Sequence, residues 1–201
     1  MPKISTVILA AGASKRLGFN KLCIRVNGEA VVRRTTRLFI EAEAGDITVV
    51  TGFERERVEE ALSGLPVRFV HHGRHEDGMS ASIKAALPMV IDSDLVLFHL
   101  GDKPFVTLEV IRGVMEAGRA TDASIVVPVH RGIPGHPVLI DMRRHRETVG
   151  AVRGQGGLRD VIGAAGADAR FIEGGEGAIL DLDTEEDVAN LKRRGYKVEK
   201  D

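Results

Sequence analysis

The stretch ISTVILAAGASKRLGFNKL, residues 4–22, combines an apolar run with small residues and basic side chains. Its apolar run over residues 5–11 is typical of a strand that is buried on both faces. Small residues follow at positions 10–13, and then three basic side chains, Lys15, Arg16 and Lys21. Basic side chains just beyond a strand end, next to small residues that leave backbone N–H groups accessible, indicate that an anion binds there.

Along the rest of the first half of the chain, apolar runs alternate with segments of helical spacing. Further strands are predicted at 46–52, 67–72 and 94–102. Helices are predicted at 29–44, 54–63, 79–90 and 107–120. This alternation favours an α/β fold with a mostly parallel, twisted sheet flanked by helices. The less regular second half predicts strands at 122–129, 136–141 and 178–183, and helices at 156–166 and 184–194. No linker interrupts the pattern, so residues 1–201 are predicted to form a single domain.

The composition excludes several classes of function. Lys and Arg total 28 and Asp and Glu total 29, so no global field would attract nucleic acid or an acidic membrane. Aromatic residues make up 4% of the chain, which is too few for base-stacking platforms. No apolar run approaches the roughly 20 residues that a membrane span requires. The single cysteine, Cys23, fits a reducing compartment, and a cytoplasmic location without nucleic-acid or membrane partners is expected.

The loop after the first strand has the small and basic residues of a phosphate-binding site, but it matches no common nucleotide-binding motif. The spacing of Gly12 and Gly18 matches neither a P-loop nor a dinucleotide fingerprint. Small residues still allow a ligand to approach the backbone closely, while Arg16 offers a planar fork and Lys21 a point charge. A glycine-containing turn with solvated basic residues explains the same spacing equally well.

Two acidic sites follow predicted strands. Asp102 lies in LGDKP, where a carboxylate could orient a metal or phosphate, although Gly-Asp-Lys-Pro is also good turn chemistry. In ILDLDTEED, alternation puts Asp181 and Asp183 on one side of a strand. Asp183 or Thr184 can cap the next helix, which leaves Asp181 to be explained. With Asp102 it could hold a hard divalent cation such as Mg²⁺.

At this point the residues resemble a known family. LAAGASKRLGFNKL resembles the signature of the nucleotidyltransferases that attach a nucleotide to molybdopterin, and the molybdenum cofactor cytidylyltransferase branch in particular. Five further blocks are similar to that family in the same order: VVTGFERERVEEAL, EDGMSASIKAAL, LGDKPFV, GIPGHPVLI and LDLDTEEDV. Together the six blocks span nearly the whole chain.

The resemblance implies a Rossmann-like nucleotidyltransferase fold and roles for individual residues. Catalysis would rest on Arg16, Lys21 and Asp102, and the metal, Mg²⁺, on Asp102, Asp181 and Asp183. The NTP would be bound by Leu9, Ala10, Ala11, Gly12, Ser14, Arg16 and Lys21 in the first loop and by Gly78, Met79, Ser80 and Ser82 at a helix start. The phosphorylated acceptor, molybdopterin or a similar cofactor, would lie against Pro134, Gly135, His136 and Pro137.

The resemblance also implies a reaction and its partners. CMP, less readily GMP or AMP, would pass from an NTP to the terminal phosphate of the acceptor, and pyrophosphate would leave. Ala11, where guanylyl-transferring relatives tend to carry Gly, favours CTP. A molybdenum hydroxylase is a candidate protein partner.

Some residues depart from the family pattern and keep alternatives open. Leu17 replaces a usual Met, Lys103 follows Asp102 where Met or Gln is frequent, and Gln155 replaces an acid. The alternatives are transfer to another phosphorylated acceptor, such as a sugar phosphate, and a weakly active accessory protein of molybdenum hydroxylases. Outside these motifs, His99 lies inside a strand run and is predicted to be a core imidazole with a backbone partner.

Overall fold

A computed structural model describes residues 1–14, 17–73, 78–120, 122–154 and 156–200. The strands are β1 (Ile4–Ala10), β2 (Arg25–Val26), β3 (Glu29–Ala30), β4 (Asp46–Thr51), β5 (Val67–His71), β6 (Leu95–Leu100), β7 (Ile125–His130), β8 (Ile133–Pro134), β9 (Val138–Asp141), β10 (Ala169–Glu173) and β11 (Val198–Glu199). The α-helices are α1 (Val31–Glu41), α2 (Arg55–Ala61), α3 (Met79–Ala86), α4 (Leu108–Ala120), α5 (Met142–Ala151), α6 (Leu158–Ala165) and α7 (Glu185–Arg193).

The main sheet has the strand order β10-β7-β9-β6-β1-β4-β5, and β8 pairs with β7. β1 runs parallel to both of its neighbours, β4 and β6, whereas β9 is antiparallel to β6 and β7. All seven residues of β1 are buried, as its continuous apolar run predicts for a strand covered on both faces. The predicted α/β fold with a mostly parallel sheet is confirmed. Of the helices in the described parts of the chain, none is both long and apolar enough to cross a bilayer.

Apolar side chains pack in three clusters, two of them against the main sheet. The third cluster joins the region after β1 to the segment that ends in α7. Its buried members are Leu17, Ile24, Val26, Val31, Leu182, Val188 and Leu191. A small antiparallel sheet of β11, β2 and β3 makes the same connection through the backbone. Residues that are far apart in the sequence are therefore fixed next to each other at one end of β1.

Three predicted elements differ from the structure. The helix predicted at 29–44 spans only Val31–Glu41, because Glu29–Ala30 form β3 and pair with β2. Residues 178–183 do not form a strand: a 3-10 turn, Glu176–Ala178, leads into an irregular segment that reaches α7. The predicted helix at 79–90 is α-helical only to Ala86, and Leu87–Val90 forms a 3-10 turn. Pro88 at the start of that turn cannot donate the amide hydrogen bond that an α-helix requires.

Candidate active site

The carboxyl ends of β1, β4 and β6 meet at one edge of the sheet, and their loops contact each other. The Gly101 amide donates to the Leu9 carbonyl at 2.9 Å, and the Phe53 amide donates to the Ala11 carbonyl at 3.2 Å. At Gly52, a Cβ atom would lie 2.7 Å from the Ala11 carbonyl oxygen. The absence of a side chain at Gly52 therefore lets the loop after β1 lie directly on the loop after β4. Open α/β sheets bind ligands at this edge.

The loop after β1 turns back on itself around Ser14. Ser14 has a left-handed φ of 48°, and its hydroxyl accepts a hydrogen bond from the Lys21 amide at 3.1 Å. Leu17 donates to the Ser14 carbonyl at 3.0 Å and buries its side chain. At Gly12 a Cβ atom would meet no described atom within 4 Å, so this part of the backbone is open to a ligand. Of the residues predicted to contact phosphate, Arg16 lies outside the described residues.

Leu9 and Ala10 end β1, and Ala11 follows them; all three are buried. Their side chains belong to the packing beneath the loop, so any contact with a nucleotide would come from backbone groups. This geometry fits the small residues of the opening stretch, because larger side chains would lift the loop off the sheet.

The structure brings Lys21, Asp102 and Asp183 together in a charged cluster. The Lys21 ammonium donates to a carboxylate oxygen of Asp102 and to one of Asp183. The side chains of Lys21 and Asp102 are each only 14% exposed, whereas that of Asp183 is 39% exposed. Burial works against the charged ammonium, but the carboxylates of Asp102 and Asp183 outweigh it and raise the pKa of Lys21. Lys21 is therefore a firmly charged ammonium at neutral pH.

Asp181 does not join this cluster. Its carboxylate accepts a hydrogen bond from the Lys103 ammonium at 3.2 Å, and the same ammonium donates to the Ile179 carbonyl at 2.9 Å. Lys103 is buried, and its charge is paired with that of Asp181. The sequence predicted Asp102, Asp181 and Asp183 as metal ligands; the structure brings Asp102 and Asp183 to Lys21, and it brings Asp181 to Lys103.

The chemistry of the charged cluster suits a hard divalent cation. Asp102 and Asp183 direct anionic oxygens at a common point, where the Lys21 ammonium offsets half of their charge. The described parts of the chain hold no group of three or more metal-ligating side chains. Mg²⁺ commonly binds one or two carboxylates and completes its shell with water and substrate phosphates. Two converging carboxylates next to the β1 loop fit that mode.

The start of α3 lies at the same edge, because β5 runs parallel to β4 and the chain enters α3 from its carboxyl end. Gly78 precedes the helix with a left-handed φ of 87°, and the Ser80 amide donates to the Gly154 carbonyl at 3.3 Å. Ser80 and Ser82 are buried. A Cβ atom at Gly157 would come within 2.8 Å of the Met79 sulfur, so Met79 packs against that backbone. The N-terminus of α3 adds partial positive charge to the edge.

The segment predicted to face the acceptor, from Pro134 to Pro137, lies between β8 and β9. A Cβ atom at Gly135 would lie 2.5 Å from the Ala178 carbonyl oxygen, and the His136 amide donates to that carbonyl at 2.9 Å. Gly135 and Pro137 are buried, and His136 is half-buried. The segment is thus fastened to the 3-10 turn that precedes Asp181 and Asp183.

Two neutral imidazoles lie behind the charged cluster. Nε2 of His99 donates to the Lys103 carbonyl at 3.1 Å, so the predicted backbone partner is confirmed. Nδ1 of His136 donates to the Phe98 carbonyl at 3.3 Å. Burial and the neighbouring Lys103 cation lower the pKa of His136 to about 4, and burial lowers the pKa of His99 well below its usual value. Neither ring carries a charge at neutral pH.

Sequence reasoning missed the pairing of Asp183 with Lys21, although a signal was present. The capping box of α7 is made by Thr184 and Asp187: the Thr184 hydroxyl accepts from the Asp187 amide, and the Asp187 carboxylate accepts from the Thr184 amide at 2.8 Å. This pair takes the capping role, so the Asp183 carboxylate is directed to Lys21 instead. Thr-x-x-Asp is a recognisable box, and giving it precedence would have left Asp183, already a predicted metal ligand, without a capping role.

Known proteins share this architecture. Residues 6–169 match the family described as "MobA-like NTP transferase domain". The molybdenum cofactor cytidylyltransferase of Escherichia coli (strain K12) is 26% identical over 195 residues, which cover 96% of this chain and 98% of the relative. The crystal structure of Rv0371c from Mycobacterium tuberculosis H37Rv has a TM-score of 0.84 at 25% identity and covers 95% of this chain and 98% of its own.

A further structure of Rv0371c from M. tuberculosis H37Rv, described as a complex with manganese, has a TM-score of 0.80 at 23% identity, over 94% of this chain and 97% of that one. The family match extends over most of the chain and takes in the β1 loop, Asp102 and the segment at 134–137. The chain therefore belongs to the MobA-like NTP transferase family and is a nucleotidyltransferase.

Proposed function

We propose that this nucleotidyltransferase transfers CMP from CTP to the terminal phosphate of molybdopterin or a closely related phosphorylated cofactor. The observation that carries the proposal is the charged cluster of Lys21, Asp102 and Asp183 beside the open backbone of Gly12. The E. coli cytidylyltransferase, similar over nearly the full length of both chains, supports this choice of nucleotide and acceptor. GMP and AMP are the less favoured nucleotidyl groups.

In the proposed reaction an oxygen of the acceptor phosphate forms a bond to the α-phosphorus of CTP. The bond between that phosphorus and the oxygen of the β-phosphate breaks, and pyrophosphate leaves with the electron pair. A phosphate dianion is already nucleophilic, so the protein need not supply a general base. Catalysis then consists of alignment and neutralisation of charge.

The backbone of the β1 loop would hold the triphosphate, with the N–H groups near Gly12 and Ser14 facing phosphate oxygens. Lys21 would leave its carboxylate partners for the phosphates and, with Arg16, neutralise the charge that develops on pyrophosphate. Ser80 and Ser82 at the start of α3 would form one side of the nucleotide pocket.

Asp102 and Asp183 are the side chains that would hold Mg²⁺, since their oxygens already converge. When bound, the ion would offset the negative charge of the phosphates. One similar structure was determined with manganese, which supports the choice of a divalent ion. Asp181, which pairs with Lys103, would remain outside the coordination shell.

The acceptor would lie against Gly135, His136 and Pro137, next to the turn that leads to Asp183. The imidazole of His136 stays neutral at physiological pH, because burial and the Lys103 cation hold its pKa at about 4. It can therefore contribute shape and a hydrogen bond to the site, and it adds no charge.

The first experiment ranks CTP, GTP, ATP and UTP by the rise in unfolding temperature that each causes with and without Mg²⁺. CTP with Mg²⁺ is expected to give the largest rise. A single-turnover assay of pyrophosphate release then compares molybdopterin with sugar phosphates. Rapid release with molybdopterin and CTP supports the proposal, whereas release only with a sugar phosphate, or with no acceptor, contradicts it.

A further inference from the structure

Lys103 is a buried cation that directly follows Asp102 in the sequence and pairs with Asp181. Only 6% of the residue is exposed, and its ammonium donates to the Ile179 carbonyl and to Asp181. Burying an ammonium is costly unless it is paired and hydrogen-bonded. The fold accommodates this charge at the junction between the β6 turn and the irregular segment before α7.

The backbone of Lys103 is fixed to the central sheet. Its amide donates to the Leu100 carbonyl at 3.2 Å, and its carbonyl accepts from the His99 ring at 3.1 Å. His99 is fully buried within β6. The near end of the Lys103 side chain is therefore held by the same turn that carries Asp102.

The far end of the side chain holds the segment that carries Asp183. Asp181 and Asp183 are separated only by Leu182, which is fully buried in the third hydrophobic cluster. Beyond them, the Asp183 amide donates to the Asp187 carboxylate at 3.0 Å. Two residues of extended chain span at most about 7 Å, so a shift at Asp181 is passed on to Asp183.

We propose that Lys103 and Asp181 form a positioning pair, which holds Asp183 beside Asp102 and so sets the affinity of the site for its divalent ion. The proposal rests on the function proposed above and assigns Asp181 a role through Lys103 and not as a metal ligand. Groups that orient metal ligands typically affect metal affinity about 10–100-fold when they are removed.

A simple charge effect and a positioning role predict opposite changes in metal affinity when Lys103 is replaced. If Lys103 acted only as a cation near the site, its removal would relieve repulsion and tighten metal binding. If it positions Asp183, its removal weakens binding. Lys103→Met keeps most of the apolar stem and removes the ammonium, so the direction of the change distinguishes the two roles.

The probe is Mn²⁺ with the α,β-methylene analogue of CTP, and free Mn²⁺ is measured by electron paramagnetic resonance. Lys103→Met is expected to bind Mn²⁺ about tenfold more weakly than the wild-type protein. Lys84→Met, which removes an exposed lysine from α3, serves as the matched control and should leave binding unchanged. Thermal unfolding establishes that each variant is folded.

A double-mutant cycle tests Asp181 independently of Lys103. Asp181→Asn should weaken Mn²⁺ binding in the wild-type background and have no further effect in Asp183→Asn, because Asp181 acts through Asp183. Additive losses would identify Asp181 as a ligand and overturn the proposal. If Lys103→Met does not fold, this cycle decides the question alone.

Equal or tighter Mn²⁺ binding by a folded Lys103→Met protein would also overturn the positioning role. Asp102→Asn provides the reference for loss of the metal site. A wild-type protein that binds no Mn²⁺ with the analogue contradicts the proposed function and the positioning role together. Wild-type binding that Lys103→Met and Asp181→Asn leave unchanged contradicts the positioning role alone.

Discussion

The Lys21 ammonium donates to the Asp102 carboxylate across 81 positions of the chain. Asp183 accepts from the same ammonium, so the cation lies between two carboxylates that would otherwise repel each other and offsets half of their charge. In the proposed reaction Lys21 would turn to the phosphates, and Asp102 and Asp183 would be the carboxylates that hold a divalent ion. The fold itself therefore holds these three charged groups together.

Replacing Lys21 should separate catalysis from metal binding. In Lys21→Ala the leaving pyrophosphate loses its cation, and kcat/KM for CTP should fall about 10²–10³-fold. Mn²⁺ alone should bind more tightly than to the wild-type protein, because the ion no longer displaces an ammonium. Pyrophosphate release and titration calorimetry measure the two effects. Lys84→Ala should change neither, and a Lys21→Ala enzyme of near-normal rate would contradict the role of Lys21.

Replacing either carboxylate of the charged cluster should lower the rate to a similar extent. Asp102→Ala and Asp183→Ala are each expected to lower the single-turnover rate about 10²–10³-fold while the protein stays folded. Asp92→Ala, at an exposed acid before β6 and at the opposite edge of the sheet, is the matched control and should be neutral. A rate for Asp183→Ala within a fewfold of wild type would mean that Asp102 works without it.

Two glycines near the loop after β1 should respond differently to alanine. Gly12→Ala places a methyl group in open space, so stability should persist while KM for CTP rises as the phosphates lose room. Gly52→Ala forces a Cβ to within 2.7 Å of the Ala11 backbone, and unfolding free energy should fall by about 1–3 kcal/mol. Urea unfolding and steady-state kinetics test both. Unchanged nucleotide binding in Gly12→Ala would contradict a phosphate site at that backbone.

His136 should make the protein less stable in mild acid. The pKa of its ring is about 4 in the folded protein and near 6.5 when unfolded, so between these values the unfolded chain binds more protons. The free energy of unfolding should therefore fall as the pH drops from about 6.5 toward 4. Urea unfolding at pH 7 and pH 4.5 measures the fall, which should be smaller in His136→Gln. An equal fall in both proteins would show that His136 is not its source.

Sequence patterns predicted the elements whose residue pattern follows from their burial. β1 and β6 are apolar throughout because both faces of the central strands are covered. β10 lies at the sheet edge with a mixed burial pattern, and its sequence carries no comparable signal. The irregular segment over 178–183 imitates a strand, since Leu182 is buried while the acids on either side reach two different lysines.

The sequence predicted the individual charged residues of the site, but it did not predict which acid contacts which lysine. The opening stretch identified Lys21 and the turn after β6 identified Asp102 because each follows a buried strand. Which acid reaches Lys21 depends on three-dimensional packing: the Lys103 side chain turns toward Asp181, and the Thr184–Asp187 box frees Asp183 from capping. The first of these leaves no pattern in the sequence, whereas the second is visible as the Thr-x-x-Asp motif.

The third hydrophobic cluster has a consequence for the order of events during synthesis. It joins Leu17, made early, to Leu182 and Val188, which leave the ribosome much later. A nascent chain holding β1 and α1 can offer Lys21 but has no Asp183 to set beside it. Under the proposed function, competence for metal and nucleotide should therefore arise late in synthesis, when α7 docks and brings Asp183 to Lys21.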